Sequence, residues 1–275
     1  MHLHNTVAVL TGAGSGIGRA LALQLARQGC HLALADINPS ALAETAGLAQ
    51  ALGVPISVRV SQHPLDVASR EAVAALPGAV LAAHGQVDLL INNAGVAMAG
   101  NFEQVSEHDF DWLMDINFNG VVRLTRAFLP LLKTRPVARV VNLSSLFGLI
   151  APPEQCAYSA SKFAVRGFSN ALRHELAMTG STVGVTVVHP GGVATQIASS
   201  ARMAESMSSA DMAKRQALSK KLLRMPPEKA AAVIVRAIER DKARVLVGWD
   251  AWFAALIERI MPVGYWGLLG RGLKL

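Results

Sequence analysis

A tyrosine and a lysine four residues apart are the side chains of this sequence best suited to proton transfer. Tyr158 and Lys162 are separated by Ser-Ala-Ser, and residues at this spacing lie on one face of a helix. A phenol with a pKa of about 10 is a poor acid or base at neutral pH, but a nearby ammonium favours the phenolate and lowers that pKa. Such a pair could exchange a proton with an alcohol or a ketone. Because the same short pattern occurs in ordinary amphipathic helices, the interpretation depends on the rest of the chain.

A glycine-rich segment near the amino terminus predicts a binding site for a dinucleotide. A short apolar run over 6–10 precedes T-G-A-G-S-G-I-G at 11–18, and an apolar pattern with helical spacing follows. The spacing is T-G-x-x-x-G-x-G rather than the common G-x-G-x-x-G. Glycines let the backbone approach a pyrophosphate, and the first N–H groups of the helix point at its oxygens. The predicted contacts are Gly12, Ser15, Gly16, Ile17 and Gly18.

Asp36 is the candidate for recognising the adenosine ribose of that cofactor. It ends the second predicted strand, 18 residues after Gly18, where a carboxylate can accept hydrogen bonds from ribose hydroxyls. The same carboxylate would repel a 2′-phosphate, and Ile37 stands next to it in place of an arginine. The sequence therefore favours NAD. NADP is the alternative, because Arg19 lies close to the glycine loop.

Further motifs follow in order along the chain. They are Leu65-Asp66-Val67, Asn92-Asn93-Ala94-Gly95, Asp115-Ile116-Asn117, Asn142-Leu143-Ser144-Ser145 and Pro190-Gly191-Gly192-Val193-Ala194-Thr195. Ser145 precedes Tyr158 by 13 residues. With this order and register, residues 5–248 resemble the short-chain dehydrogenase/reductase family.

The resemblance implies a catalytic tetrad of Asn117, Ser145, Tyr158 and Lys162. In the family, the tyrosine exchanges the proton, the lysine lowers its pKa and binds the nicotinamide ribose, and the serine donates a hydrogen bond to the substrate oxygen. The backbone carbonyl of the asparagine holds a water that links the lysine to solvent. The resemblance also implies cofactor contacts from Asp66, Val67, Asn93, Ala94, Gly95, Tyr158, Lys162, Pro190, Gly191, Val193 and Thr195.

The alternation of strand and helix patterns predicts an α/β fold: a single doubly wound Rossmann-type domain with helices on both faces of a parallel sheet. The predicted strands are 6–11, 31–36, 55–60, 87–92, 138–143, 183–189 and 243–247, and the resemblance implies the strand order 3-2-1-4-5-6-7. The catalytic domain would span 1–248, with a substrate lid at about 192–224, and 249–275 would form an aromatic extension.

Composition narrows the function classes. The net charge of +7 comes without basic residues interleaved with aromatics, so no nucleic-acid partner is predicted. Lys214, Arg215, Lys220, Lys221 and Arg224 form a basic run in the lid, interpreted as a solvated helix face, with attraction of an anionic carrier or membrane as the alternatives. The eight histidines lack ligand spacing and are interpreted as structural or solvated, so no metal is predicted. Cys30 and Cys156 are interpreted as reduced thiols, and the absence of a signal-peptide pattern at the first residues predicts a cytoplasmic protein.

The carboxyl-terminal segment contains three of the four tryptophans. Glu258, Arg259 and Pro262 interrupt its apolar run, which falls short of the roughly 20 residues that span a bilayer. We expect an amphipathic helix that packs on a neighbouring subunit or roofs the substrate cleft. Peripheral membrane contact is the alternative, since tryptophan, tyrosine and lysine suit that boundary. The family resemblance implies a homodimer or homotetramer.

The predicted pocket wall is apolar and adaptable. Its candidates are Leu146, Phe147, Leu149, Ile150, Pro152, Pro153, Met203, Met207 and Met212. The sequence thus favours an oxidoreductase that interconverts a hydrophobic secondary alcohol and ketone. A 3-oxoacyl thioester reductase is the alternative enzyme. A protein that binds NAD(H) as a sensor or scaffold is the alternative from another class, but it would not need Ser145, Tyr158 and Lys162 together.

Overall fold

Seven parallel strands form the centre of the fold. The structure, a computed structural model, describes residues 1–52, 58–204 and 207–273. The strands are β1 Val7–Thr11, β2 His31–Asp36, β3 Val60–Pro64, β4 Leu89–Asn92, β5 Met98–Ala99, β6 Ala138–Leu143, β7 Val183–Pro190, β8 Arg202–Met203 and β9 Arg244–Val247. The large sheet has the order β3-β2-β1-β4-β6-β7-β9. Because β5 and β8 belong to a separate small sheet, β6, β7 and β9 are the fifth, sixth and seventh strands of the large one. The predicted fold class and strand order are confirmed.

Helices cover both faces of the sheet. They are α1 Gly16–Arg27, α2 Pro39–Gln50, α3 Arg70–His84, α4 Glu107–Met114, α5 Gly120–Leu132, α6 Cys156–Met178, α7 Ser209–Leu222, α8 Pro227–Glu239, α9 Trp249–Ile260 and α10 Tyr265–Leu273. Polar side chains begin several of them: Asn38 accepts from the N–H groups of Ser40 and Ala41, and Ser69 accepts from that of Ala72. These contacts satisfy N–H groups that have no partner within the helix.

The core lies in two layers, one on each side of the sheet. In β1, all five residues are buried, because a parallel sheet covered on both faces exposes neither side. Val9 pairs with Ala33 of β2 and with Leu90 of β4. Helices α1 and α8 pack together on one face. Leu124 and Phe128 of α5 belong to the core on the other face.

One strand of the large sheet, the third, lies at a different position from the one predicted from the sequence. The prediction was 55–60, of which 55–57 lie outside the described residues, whereas β3 begins at Val60 and pairs with β2 from Leu32 to Asp36. This strand lies at the edge of the sheet and reads Val-Ser-Gln-His-Pro. An edge strand of half-exposed polar residues lacks the apolar signal that identified the others. The other six predicted strands agree with the structure to within two residues at each end.

A second, two-stranded sheet was not predicted. Met98 of β5 pairs with Arg202 of β8, and Ala99 pairs with Met203. Two residues per strand are too few to show a periodic pattern. This small sheet connects the chain after β4 to the segment that leads into α7, and it therefore helps to place the lid.

Candidate active site

A cleft of about 1090 Å³ opens at the carboxyl ends of the central strands. Ligands bind at this edge in doubly wound sheets. The predicted site residues line the cleft, apart from Asn117, which is fully buried behind its wall. Those on the wall are Gly12, Ser15, Gly16, Ile17, Gly18, Asp36, Asp66, Val67, Asn93, Ala94, Gly95, Ser145, Tyr158, Lys162, Pro190, Gly191, Val193 and Thr195.

The glycine loop joins β1 to α1 through backbone conformations that favour glycine. Gly12 has a φ of +63° and Gly16 a φ of +51°, which residues with a Cβ rarely adopt. A Cβ on Gly18 would overlap the carbonyl oxygen of Gly12. Ser15 precedes α1, and its side chain makes no capping hydrogen bond. The loop and the start of the helix thus form a bare backbone cradle that fits the pyrophosphate of a dinucleotide.

Asn93 supports this loop from the end of β4. Its Nδ2 donates to the carbonyl oxygens of Thr11 at 2.9 Å and Gly12 at 3.0 Å. The backbone N–H groups of Asn93 and Ala94 both donate to the Thr11 hydroxyl at 3.1 Å. Four hydrogen bonds therefore fix the first residues of the loop, which explains why an amide side chain stands here.

Asp36 lies where the adenosine ribose of a dinucleotide would be recognised. One carboxylate oxygen accepts from the N–H of Gly14 at 2.8 Å and the other from the N–H of Asn38 at 2.9 Å. The guanidinium of Arg19 pairs with Glu44 through two contacts of 2.7 Å and donates to the Gly14 carbonyl oxygen. Arg19, the reason for keeping NADP as an alternative, is therefore engaged in a bidentate ion pair.

Helix α6 places the tyrosine and the lysine on one face, beside the serine that follows β6. The Lys162 ammonium lies 5.6 Å from the centre of the Tyr158 ring. The Ser145 Oγ accepts from the N–H of Phe147 at 3.1 Å, which leaves its own proton available to donate. The Phe147 ring stands edge-on to Tyr158 at 6.1 Å. Three groups able to act on one oxygen atom are therefore gathered in the cleft.

Lys162 is a buried amine with few hydrogen-bond partners in the described part of the protein. Its side chain is 4% exposed, and its Nζ donates to the carbonyl oxygen of Leu143 at 3.2 Å. Burial lowers the pKa of Lys162 from 10.5 to about 8, because a charge is costly away from water. An ammonium has three N–H donors, so this group can serve further acceptors in the cleft.

The pKa of Tyr158 moves in the direction opposite to the sequence prediction. Burial raises this pKa, and the interaction with the Ser145 hydroxyl opposes part of the rise. Burial has this effect because a phenolate loses the solvation of water inside the protein. Burial therefore acts against the sequence prediction, and the part of Lys162 in lowering this pKa stays a prediction.

Two buried polar residues contact the backbone of Lys162 and of Ser145 from behind. Ser144 donates from its Oγ to the carbonyl oxygen of Lys162 at 2.8 Å. The Nδ1 of His189 lies 3.0 Å from the carbonyl oxygen of Ser145, and since a carbonyl only accepts, Nδ1 carries the proton. Burial lowers the pKa of His189 to about 4, so the ring is neutral. Sequence reasoning treated His189 as structural or solvated, since no spacing marked it as a support for Ser145.

Asn117 lies in a wide helical turn between α4 and α5. Residues 115–119 form a π-helical turn, a feature frequent at functional sites. The Asn117 side chain accepts from the N–H of Val96 at 2.8 Å and donates to its carbonyl oxygen at 2.9 Å. Its Nδ2 also reaches Ser161 Oγ at 3.2 Å, and Ser161 donates to the Tyr158 carbonyl oxygen. Asn117 thus connects the turn, the segment after β4 and the catalytic helix.

The substrate half of the cleft is mainly apolar. Of the predicted wall residues, Leu146, Phe147, Ile150, Pro152, Pro153 and Met203 line it. Leu149 and Met207 are buried instead, and Met212 is not on the wall. Leu218, Leu222 and Leu223, which fall in the predicted lid at 192–224, line it as well. The extension adds four residues that the sequence analysis did not name one by one, Phe253, Ala254, Trp266 and Leu269.

The carboxyl-terminal extension, α9 and α10, roofs the substrate half. The Tyr265 hydroxyl accepts from the N–H of Ala151 at 2.9 Å, which joins α10 to the loop before the catalytic helix. Asp250 in α9 accepts from the N–H of Gly192. A roof over the cleft was one of the predicted roles of this segment, beside packing on a subunit and membrane contact, and side chains of both helices line the cleft within a single chain.

Some of the basic side chains of the lid lie close to carboxylates. Arg215 on α7 pairs with Glu154 in the loop below, and Lys214 lies 3.7 Å from Asp211 on its own helix. Arg215 therefore neutralises a carboxylate across the cleft mouth. Lys221 is exposed, as the predicted solvated helix face requires.

In the described ranges, no group of three His, Cys, Asp or Glu side chains is placed to hold a metal. Both cysteines are free thiols, and burial raises the pKa of Cys30 to about 12. No helix in the described part of the chain is both long enough and apolar enough to span a bilayer.

Known proteins are similar to this chain in sequence and in fold. The sequence model of the short chain dehydrogenase family matches residues 6–206. SadH of Mycobacterium tuberculosis is 46% identical over 266 residues, which cover 97% of this chain and 94% of that protein. An SDR family protein 7-like dehydrogenase/reductase of Drosophila melanogaster is 31% identical over 275 residues, covering 99% and 82%. A solved short-chain dehydrogenase/reductase of Burkholderia phymatum in complex with NAD is 31% identical, with a TM-score of 0.86, and covers 94% of this chain and 95% of that one.

Proposed function

Because the chain belongs to the short-chain dehydrogenase family, we propose that it interconverts a hydrophobic secondary alcohol and its ketone with NAD as cofactor. The cofactor, when bound, supplies or accepts the hydride. The observation that carries the proposal is the meeting of Ser145, Tyr158 and Lys162 in an apolar cleft beside a glycine-lined cradle. A protein that only senses or stores the cofactor does not need these three groups together.

Each side chain has a defined role in this proposal. Tyr158 donates its proton to the ketone oxygen during reduction and accepts it from the alcohol during oxidation. Ser145 donates a hydrogen bond to the same oxygen as negative charge develops there. Lys162 uses the N–H groups not directed at Leu143 to bind the nicotinamide ribose and to favour the phenolate. Asn117 holds the catalytic helix in place through Ser161.

The raised pKa of Tyr158 gives the two directions different pH profiles. Reduction starts from the phenol and oxidation from the phenolate, and burial favours the phenol. We expect the kcat of oxidation to rise with pH above neutrality, while the kcat of reduction stays flat over the same range. Steady-state kinetics in both directions would test this, and an oxidation rate that falls as pH rises would contradict the role given to Tyr158.

The charges of Asp36 and Arg19 support NAD over NADP. The Asp36 carboxylate faces the cleft at the end of β2 and would repel a 2′-phosphate. The Arg19 guanidinium, which could otherwise bind that phosphate, is paired with Glu44. Ile37 is exposed and apolar at the position where an arginine would help NADP.

The substrate class follows from the lining of the roofed half. Most of the side chains on its wall are apolar, leucine, phenylalanine, proline and methionine among them, and such a wall favours a long-chain or alicyclic compound over a sugar. A 3-oxoacyl thioester on an anionic carrier is the runner-up, but Arg215 is already paired with Glu154 at the cleft mouth. NADH absorbance with matched ketones and 3-oxoacyl thioesters would separate these classes. Higher kcat/KM for the thioesters, lost on neutralising the exposed Lys221, would overturn our assignment.

The outer face of the extension carries exposed apolar side chains. Trp249 is 85% exposed, Trp252 55% and Val263 92%, and exposed apolar patches of this kind mark interaction surfaces. We propose that a second copy of the chain covers this face, with a membrane surface as the alternative. Light scattering on the purified protein and flotation with anionic vesicles would discriminate: a dimer that becomes monomeric in Trp252→Ser supports self-association, and flotation of a monomer contradicts it.

A further inference from the structure

We propose that Asp250, in the first turn of α9, is a positioning residue for the loop 190–195 at the nicotinamide end of the cleft. The inference rests on the proposed function, because it assumes that this loop closes over the nicotinamide. It makes the carboxyl-terminal extension a working part of the cofactor site as well as a roof for the substrate.

The first observation is a hydrogen bond between distant parts of the chain. The N–H of Gly192 donates to Asp250 Oδ2 at 2.5 Å, across 58 residues of sequence. A hydrogen bond to an ionised acceptor is shorter and stronger than one between neutral groups. In the described part of the chain, no lysine or arginine forms an ion pair with Asp250, so the backbone of this loop is its observed partner.

The second observation is that glycines surround this carboxylate. A Cβ on Gly191 or on Gly248 would overlap the Asp250 side chain, and one on Gly192 would overlap the carbonyl oxygen of Leu222. The family pattern P-G-x-x-x-T accounts for Gly191 but leaves position 192 open. The close approach of Asp250 and of the end of α7 gives a physical reason for the second glycine.

The third observation is that the loop is held from its other side as well. The Gly192 carbonyl oxygen accepts from the N–H groups of Arg224 and Met225, and the N–H of Ala194 donates to the Met225 carbonyl oxygen at 2.8 Å. Asp250 and the segment after α7 therefore grip opposite edges of one peptide segment. Thr195, at the end of the same segment, lies against Gly16 of the glycine loop.

These contacts predict which half of the cofactor depends on Asp250 for its binding. A Gly-Gly segment has more backbone freedom than any other dipeptide. Without the carboxylate, the loop would have to be ordered on binding, and the cost would fall on the nicotinamide half of the cofactor. The adenosine half, which faces Asp36 at the far end of the cleft, would not be affected.

Calorimetric titration with NADH and with ADP-ribose, which lacks the nicotinamide, tests this prediction in the full chain. We expect Asp250→Ala to weaken NADH binding about tenfold, the loss of one charge-assisted hydrogen bond, and to change ADP-ribose binding less than twofold. Asp250→Asn keeps an acceptor oxygen and should recover most of the loss. Glu258→Gln, which removes another carboxylate from α9, is the matched control and should bind both ligands as the wild type does.

Two results would overturn the inference. Equal weakening of NADH and ADP-ribose by Asp250→Ala would indicate general damage to the fold, and unchanged NADH binding would show that the hydrogen bond does not position the loop. A separate result concerns the proposed function itself. If the wild-type protein binds NADH no more tightly than ADP-ribose, the nicotinamide does not occupy this end of the cleft, whatever Asp250 does.

Discussion

The two halves of the cleft are built in different ways. The cofactor half rests on α1, in which Gly18, Ala20, Leu21, Ala22, Leu25 and Ala26 are buried. The substrate half is covered by α7, in which none of the described side chains is buried. Polar contacts join its parts instead, such as Arg215 to Glu154 and Tyr265 to Ala151.

This difference predicts which half of the cleft tolerates substitutions without loss of the fold. Residues that belong to the core carry several kcal/mol of burial free energy, so the cradle for the cofactor is rigid before any ligand arrives. Single polar contacts contribute about 1 kcal/mol each. Substitutions in the substrate half should therefore alter KM, whereas substitutions among the catalytic groups should alter kcat or the stability of the protein.

Removal of the Tyr158 hydroxyl should have the largest effect. Tyr158→Phe deletes the proposed proton donor and should lower kcat roughly 10²- to 10⁴-fold, the usual contribution of general acid-base catalysis. NADH binding should stay within a few fold, because the phenol is not needed by the cradle. Turnover measured beside calorimetric NADH binding checks both parts. Retained turnover would place the proton transfer elsewhere.

Replacement of Lys162 should show the cost of a buried amine. The folded-state pKa of about 8 lies below the ordinary 10.5, so between these values the unfolded chain binds more protons and stability rises with pH. Below pH 8 the penalty is complete, at about 3 kcal/mol. We expect Lys162→Met to raise the free energy of unfolding at pH 7 and to lower kcat by less than Tyr158→Phe does.

The pH dependence provides the control for that variant. The stability gained by Lys162→Met should shrink as pH increases from 7 to 10, because the wild-type amine loses its proton over this range. Urea unfolding of both proteins at matched pH values measures it. A gain that is independent of pH would mean that packing, not charge, accounts for the difference.

Removal of the Asp36 carboxylate should change cofactor choice without changing catalysis. Asp36→Ala loses an acceptor for the ribose and a charge that repels the 2′-phosphate, so the NADP-to-NAD ratio of kcat/KM should increase roughly 10- to 100-fold, or about 1.4 to 3 kcal/mol. Adding Glu44→Gln should increase it further by releasing Arg19. A wild type that already prefers NADP would contradict the argument.

Loss of the Tyr265 hydroxyl should have the smallest effect. Tyr265→Phe removes the acceptor for the Ala151 N–H and should raise substrate KM about fivefold, the equivalent of 1 kcal/mol, with kcat nearly unchanged. The chain has two tyrosines, so this variant is the chemical match of Tyr158→Phe in the other half of the cleft. A fall in kcat as large as that of Tyr158→Phe would erase the distinction between the halves.

The sequence predicted the parts of the site that local segments encode. The glycine loop and the segment with Tyr158 and Lys162 each combine their chemistry and their secondary structure within a few residues. The structure brings them into one cleft because they follow β1 and β6, which end at the same edge of the sheet.

The remaining parts depend on contacts between distant residues. Tyr265 meets Ala151 across 114 positions, and no spacing rule connects such a pair. His189 reaches the Ser145 carbonyl from the end of a neighbouring strand. Strand β3 has too few apolar residues to be located by pattern. The pKa of Tyr158 depends on burial, which a helical spacing does not report.

The wide turn at 115–119 has a consequence for changes in chain length. The Gly120 N–H donates to the Asp115 carbonyl oxygen five residues earlier, whereas an α-helix would use the fourth. Each helical residue rotates the chain by about 100° about the helix axis. Deleting one residue here would therefore rotate α4 relative to α5 by about that angle. Leu113 in the core and Asn117 beside Val96 could not both keep their places. Insertions and deletions in this stretch should therefore be more harmful than most point mutations.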